Sequence, residues 1–291
     1  MRYRVWHRTT YTYDEDVSNS YGIAHVEPRP TPWQQVDAVD VRIEPTPGDA
    51  SSDTDFYGNA VTYFQVTEPH RTLVVDATSE VEVQVPTYDA DALATPWEQA
   101  RPGERSDVAD AWRAVDFALP STLVDQTEQA RAYAAESLTP GRPVGEAVTE
   151  LMHRIHADFR YDKTATTVTS RIDDVFEQRA GVCQDFAHLT LSCLRSHGLA
   201  VAYVSGYLAT TPPPGRERVV GADASHAWAA VWLPDGSWLA LDPTNDHWAD
   251  DRYVTVARGR DYKDVPPVKG IIYTDARSSS LDVQVDVAPL V

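Results

Sequence analysis

Cysteine, methionine and lysine are scarce in this 291-residue chain, which holds two, two and three of them. Cys183 and Cys193 lie ten residues apart. On one helix that spacing is about 15 Å, whereas a disulfide needs Cα atoms within about 7 Å. Both are therefore expected to be free thiols in a reducing compartment, the cytoplasm. No run approaches the roughly 18 apolar residues of a membrane span, and MRYRVWHRTTYTYD turns polar before a signal-peptide core could form. No membrane association is expected. Positive charge is short too: 25 Lys and Arg stand against 44 Asp and Glu, a net charge of −19. Such a chain repels phosphate backbones, which argues against nucleic acid as a partner. There is no GxSxG elbow, which disfavours a serine hydrolase, and there is no internal repeat or low-complexity tract.

What is present reads as two domains, since a chain of this length holds one large or two modest units. From Tyr3 to about Val85, short alternating runs rich in Val, Thr, Tyr and Phe are separated by Pro, Gly, Asn and Asp. That pattern predicts an antiparallel sandwich or sheet over residues 1–90. In VDAVDVRIEP, Val36, Ala38 with Val39, Val41 and Ile43 keep near period two. Gly58 and Asn59 in DFYGNAVTYF predict a hairpin turn, because both tolerate positive φ. Pro28, Pro30 and Pro32 make EPRPTPW an extended connection. Residues 91–122, rich in Asp, Ala, Pro and Trp without a clean period, read as a connection draped over the surface. TEQARAYAAESL is a helix, and Gly141 is a helix stop. A second helix starts near Pro143, with Val144, Val148, Leu151, Met152 and Ile155 at roughly 3.6-residue spacing. The second domain runs over 123–291.

Three local geometries in that domain carry chemistry. In GVCQDFAHL, Cys183 opens a helix whose Phe186, Leu189, Thr190, Cys193 and Leu194 fall on one face, and Gly198 ends it. At a helix N-terminus, unpaired N–H groups and the positive dipole end favour thiolate and could hold an oxyanion. Asp185 and Gln184 suit the first turn, where Gln184 is also in reach of a substrate. Cys193, on the apolar face, reads as a packing residue. The second geometry is a hairpin, SHAWAAVWL and SWLALD joined by Pro234-Asp235-Gly236. A type I turn with Gly236 left-handed closes Leu233 on Ser237. That register sets Trp228 opposite Asp242 and makes His226 and Asp242 diagonal neighbours on one face; a one-residue slip would separate them. The third is Asp242-Pro243, where proline holds the aspartate in extended backbone. A thiol, a base and a carboxylate to orient the base are the minimum equipment for covalent acyl transfer.

Taken together, GVCQDFAHL, VSGYL, SHAWAAVWLPDGSW and LDPTN resemble the core of the transglutaminase-like superfamily, within the wider papain-like thiol enzymes, over about residues 158–248. HRTTYTYDEDV, EPRP and DFYGNAV resemble the β-domain that precedes this core in many bacterial members. The resemblance implies an α+β fold, with a Cys-bearing helix packed on an antiparallel sheet that carries His and Asp, and an N-terminal antiparallel β-domain in front. It implies Cys183, His226 and Asp242 as a catalytic triad acting on amide bonds of peptide or protein substrates, by transfer to an amine or to water. Tyr161 in DFRYD is the candidate second oxyanion donor by position. Calcium ligands of the animal enzymes have no counterpart here, so neither metal nor cofactor is expected, and three lysines leave little for self-crosslinking.

Competing readings attach to the remaining residues. His153 and His156, three apart on a helix, form half a metal site that nothing completes. His188 lies one turn inside the cysteine helix and His197 at its end. His247 and Trp248 are read as a packed flap beside the cleft, and Trp228, Trp232 and Trp238 as core and cleft wall. TPPPGRERVVGADA, just before His226, is a candidate lid. The competing class is a binding or scaffolding protein that keeps the fold without turnover, for which a substituted triad position would be expected. Oligomeric state is left open.

Overall fold

The computed structural model describes residues 1–104, 108, 111–210 and 225–290; the candidate lid, 211–224, lies outside them. The first sheet uses β1 (Arg2–Ala24), β2 (Gln34–Glu44), β3 (Asp49–Thr54), β4 (Ala60–Val66) and β5 (His70–Val83), in the order β2-β5-β1-β4-β3. Period-two alternation buries one face of β5 almost throughout. β2 pairs with β5 alone, and its register shifts between Val36 and Ala38, where the sequence doubles its apolar pair. β3 and β4 form the predicted hairpin, with Gly58 at φ 78° and the Asp55 N–H donating to the Asn59 carbonyl at 2.9 Å.

The chain then runs through α1 (Ala90–Ala94), α2 (Ala111–Asp116), α3 (Glu128–Ala135) and α4 (Val144–Asp158). The stretch expected to drape over the surface is instead pinned down, with Trp97, Ala100, Ala111, Ala114 and Phe117 buried. Small alanine anchors on helices of one or two turns leave little periodicity to read in the sequence. Thr127 caps α3 by accepting the Ala130 N–H, and Pro143 precedes α4 as expected. Next come β6 (Arg160–Tyr161), α5 (Ile172–Gln178), β7 (Ala180–Gly181), α6 (Cys183–Arg195), β8 (Val201–Leu208), β9 (Ser225–Trp232), β10 (Trp238–Asp242), β11 (His247–Trp248) and β12 (Tyr253–Gly259). The second sheet is antiparallel, in the order β11-β10-β9-β8-β12. α6 packs on β8 and β9, sharing one apolar cluster with Ala227, Ala229, Val231, Leu239 and Leu241. The architecture is α+β, as expected.

One boundary needs correction. The last strands, β13 (Val268–Thr274) and β14 (Ser279–Pro289), pair antiparallel with β1, matching Ala24 with Val268 and Tyr3 with Pro289. Residues 123–291 are therefore not one unit, because their C-terminal strands complete the N-terminal sheet. The two sheets also share a core: Val5, Val81, Val285 and Val287 join the cluster around α4 and α6, and the Tyr207 hydroxyl lies 2.9 Å from buried His7 Nδ1. No helix among the described residues is long and apolar enough to cross a membrane.

Candidate active site

The hairpin that carries the histidine forms in the register its turn dictates. The Leu233 N–H donates to the Ser237 carbonyl at 2.8 Å, Gly236 has φ 88°, and Leu241 pairs with Ala229. Asp242 thus arrives beside His226, with the imidazole Nε2 2.7 Å from Asp242 Oδ2. With Nε2 committed to the carboxylate, Nδ1 is the ring nitrogen left for Cys183, whose side chain favours the charged ring.

Asp242 is fully buried, yet its carboxyl is held down at about 2. Burial works against the charge, and hydrogen bonds from His226, Tyr253 and Asn245 together with the His226 charge overcome it. The Tyr253 hydroxyl donates to Oδ2 at 2.6 Å and Asn245 Nδ2 at 2.7 Å. The backbone N–H groups of Thr244 and Asn245 donate to Oδ1 at 2.8 and 3.2 Å. Burial likewise pulls the imidazole of His226 down, but the Asp242 and Cys183 hydrogen bonds and charges outweigh it and raise it to about 10. The balance favours the charged form of the ring. Trp228 and Tyr253 stand beside it, with ring centroids 6.0 and 6.1 Å away. Gly206 pairs with His226 across β8 and β9, and a Cβ there would meet the Val254 carbonyl at 2.2 Å and the Trp228 ring at 2.6 Å. Only glycine lets Trp228 lie there.

Cys183 is half-buried at the first position of α6. Asp185 fixes that turn by accepting from the Val182 N–H at 2.7 Å and the Thr166 hydroxyl at 2.5 Å. A Cβ on Gly181 would come within 2.7 Å of this carboxylate. The helix departs from the one-sided burial expected of it, since residues 185–195 are all buried. Its polar side chains have partners elsewhere in the fold. His188 Nε2 accepts the Tyr262 N–H, Ser192 donates to the Asp125 carbonyl, and Arg195 donates to the Val201 and Arg260 carbonyls. Burial pushes the Cys193 thiol far above its ordinary range, which fits a packing residue.

Tyr161 stands on β6, paired with Gly181 of β7 two residues before Cys183. It is half exposed, and burial, then the Cys183 charge, raise its phenol. Gln184 Nε2 donates to the Val168 carbonyl at 3.2 Å, which ties it to the loop over the helix start. His153 and His156 brace the loop after Asp242. His153 Nδ1 is 2.5 Å from Asp246 Oδ1, and His156 Nδ1 lies 3.2 and 3.1 Å from the Pro243 and Thr244 carbonyls. Trp248 donates to Thr149 at 2.9 Å, which packs the flap on α4. No group of three or more His, Cys, Asp or Glu able to hold a metal occurs among the described residues. Sequence reasoning missed Tyr253 and Asn245. Asn245 had a signal, because the Asp-Pro-Thr-Asn stretch turns back on its own aspartate. Tyr253 had none.

Comparison with known proteins agrees with this architecture. Residues 131–243 match the transglutaminase-like superfamily and residues 3–82 the bacterial transglutaminase-like N-terminal region. An uncharacterized protein of Mycobacterium tuberculosis is 48% identical over 295 residues, covering 99% of this chain and 93% of that protein. A protein-glutamine gamma-glutamyltransferase of Pseudomonas aeruginosa is 31% identical over 152 residues, 51% of this chain and 22% of that protein. A crystal structure of a candidate cysteine protease from Cytophaga hutchinsonii shares the fold, with a TM-score of 0.70 at 18% identity, covering 98% of this chain and 90% of that one.

Proposed function

The chain belongs to the transglutaminase-like superfamily, and from that premise we propose that it is a thiol enzyme acting on amide bonds of peptide or protein substrates through Cys183, His226 and Asp242. The observation that carries this reading is the His226 imidazole held by the buried Asp242 carboxylate at 2.7 Å, with Asp242 and Cys183 both favouring the charged ring. In the proposed cycle Cys183 attacks the substrate carbonyl and the tetrahedral oxyanion faces the first N–H groups of α6. His226 gives its proton to the leaving amine as the C–N bond breaks, leaving an acyl-thioester on Cys183. An amine or a water then enters, giving its proton to the imidazole, and the thioester is resolved. Asp242 keeps the ring in one orientation and stabilises its charge. Tyr161, beside the helix start, is the side chain proposed to assist the oxyanion.

A groove of about 560 Å³ lies where the Asp242 loop meets α4, lined by Leu93, Gly145, Thr149, His153 and Trp248. Its lining, apolar beside Arg142, Glu146 and Glu150, is proposed to take a stretch of substrate chain.

The test is to trap the acyl-enzyme from a peptide library and identify the amide cleaved, then offer primary amines against water. Product carrying the amine marks a transferase, and free acid a hydrolase. Iodoacetamide labelling is the control. Cys183 is expected to react far faster than Cys193, and equal rates with no trapped acyl-enzyme would favour a silent scaffold.

A further inference from the structure

Two motifs of the N-terminal sheet, EPRP and DFYGN, have no part in the chemistry above, yet they meet at one place in the fold. The hairpin tip Asp55–Asn59 docks on β12, where Asn59 Nδ2 donates to the Arg258 carbonyl at 2.7 Å and Asn59 Oδ1 accepts the Arg258 N–H at 2.8 Å. Arg29 of EPRP reaches in to donate to Asn59 Oδ1 and the Tyr57 carbonyl. Between this tip and the turn end of the second sheet lies a pocket of about 430 Å³, within the range of about 300 to 1,000 Å³ for small-molecule sites. It is separate from the thiol: Arg258 is five residues beyond Tyr253 along β12, roughly 16 Å at about 3.3 Å per residue.

The walls and the charge of this pocket do not match. Tyr57, Phe117, Trp232 and Trp238 form its aromatic side, and Arg29, Asp55, Arg113 and Arg258 its charged side. Arg258 Nε is buried without a hydrogen-bond partner, and among the described residues no carboxylate faces its guanidinium, which lies over the Trp238 ring at 5.7 Å. Burial and the neighbouring Arg29 charge both press on this cation. Arg29 has Asp55 as its counter-charge, and Arg113, also on the wall, stacks on Trp112. Asp55 is itself taken up by the N–H groups of Tyr57 and Asn59 and by the Asn59 amide. One uncompensated guanidinium against aromatic walls is costly to bury and matches one negative charge.

We propose that this pocket binds a small organic monocarboxylate with an aromatic body, its carboxylate paired with Arg258 and its ring against Trp238 and Phe117. A planar guanidinium takes a carboxylate through two parallel hydrogen bonds, and indole and phenyl faces accept an aromatic ring edge-on or offset. The Arg258 charge, with the Asp55 carboxylate on the same wall, favours a monoanion over a phosphate dianion, the more so on a chain of net charge −19.

The experiment titrates the whole protein with N-acetyltyrosine, its neutral amide and inorganic phosphate, read by calorimetry and by the fluorescence of the pocket tryptophans. The acid is expected to bind and to raise Tm, and the amide to bind about tenfold or more weakly. In Arg258→Met the preference for acid over amide disappears, while the ligand-free Tm holds or rises because an unpaired buried charge has gone. The wild-type comparison of acid with amide needs no variant, so it stands even if the variant folds poorly. Equal binding of acid and amide, no binding of either at millimolar concentration, tighter binding of phosphate than of the acid, or an acid preference that survives in Arg258→Met would overturn the assignment.

Discussion

Asp242→Asn tests the electrostatics of the site without its catalytic cycle. The amide keeps the shape of the carboxylate, and its one oxygen can still accept the Thr244 and Asn245 N–H groups. It carries no charge, and its NH2 cannot accept from Tyr253 at the Oδ2 position. In the native protein the imidazole rises from 6.5 to about 10, which at 1.36 kcal/mol per pH unit is roughly 5 kcal/mol in favour of imidazolium. Asp242 and Cys183 share this against burial, with the Asp242 hydrogen bond the largest favourable contribution. If Asp242 supplies half, its loss lowers the His226 value by roughly 2 pH units, or about 100-fold in the protonation balance of the ring. Iodoacetamide alkylation of Cys183 should slow in the variant, because the cation beside the sulfur is less firmly held. An imidazole NMR titration should show the His226 midpoint falling in step. An unchanged alkylation profile, or a His226 midpoint that stays at its native value, would refute the proton bookkeeping on which the proposed chemistry rests.

Three further outcomes follow. Tyr253→Phe removes one buried hydrogen bond to a charge, worth about 1.5–3 kcal/mol; the Asp242 carboxyl should rise yet stay ionised at neutral pH, so stability should fall in urea while the slowing of Cys183 alkylation stays well short of that in Asp242→Asn. Gly206→Ala forces a methyl against the Val254 carbonyl and the Trp228 ring and should cost about 3 kcal/mol or more by urea unfolding, since a central strand cannot step aside. For pH, a folded value of His226 raised to about 10 means stability fully present below about 6.5 and lost as pH rises through 10. The difference in urea midpoint between the wild type and His226→Gln should accordingly be largest in mild acid and shrink in alkali.

The parts of the site that were legible in the sequence are those set by short-range geometry. Pro234-Asp235-Gly236 specifies its own turn, the turn specifies the register, and the register brings His226 to Asp242. The start of α6 at Cys183 and its end at Gly198 are equally local. What stayed hidden depends on chain segments far apart. Tyr253 reaches Asp242 from another strand, and Arg258 meets Arg29 across the two sheets. The polar side of α6 looked solvated because its partners at Asp125, Val201, Arg260 and Tyr262 cannot be inferred from helical periodicity. The strands after Val268 carry the same alternation as the first ones, but nothing in alternation says which strand they join.

That β1 is flanked along its length by β13 and β14 bears on how the polypeptide matures on the ribosome. The opening strand emerges first, and the neighbours it needs on that side are made only after the whole thiol-bearing region has been synthesised. Until then one rim of the nascent sheet has no hydrogen-bonding mate, a state in which unfinished sheets tend to self-associate. Synthesis of β13 and β14, and not completion of the first five strands, is the event that seals this sheet.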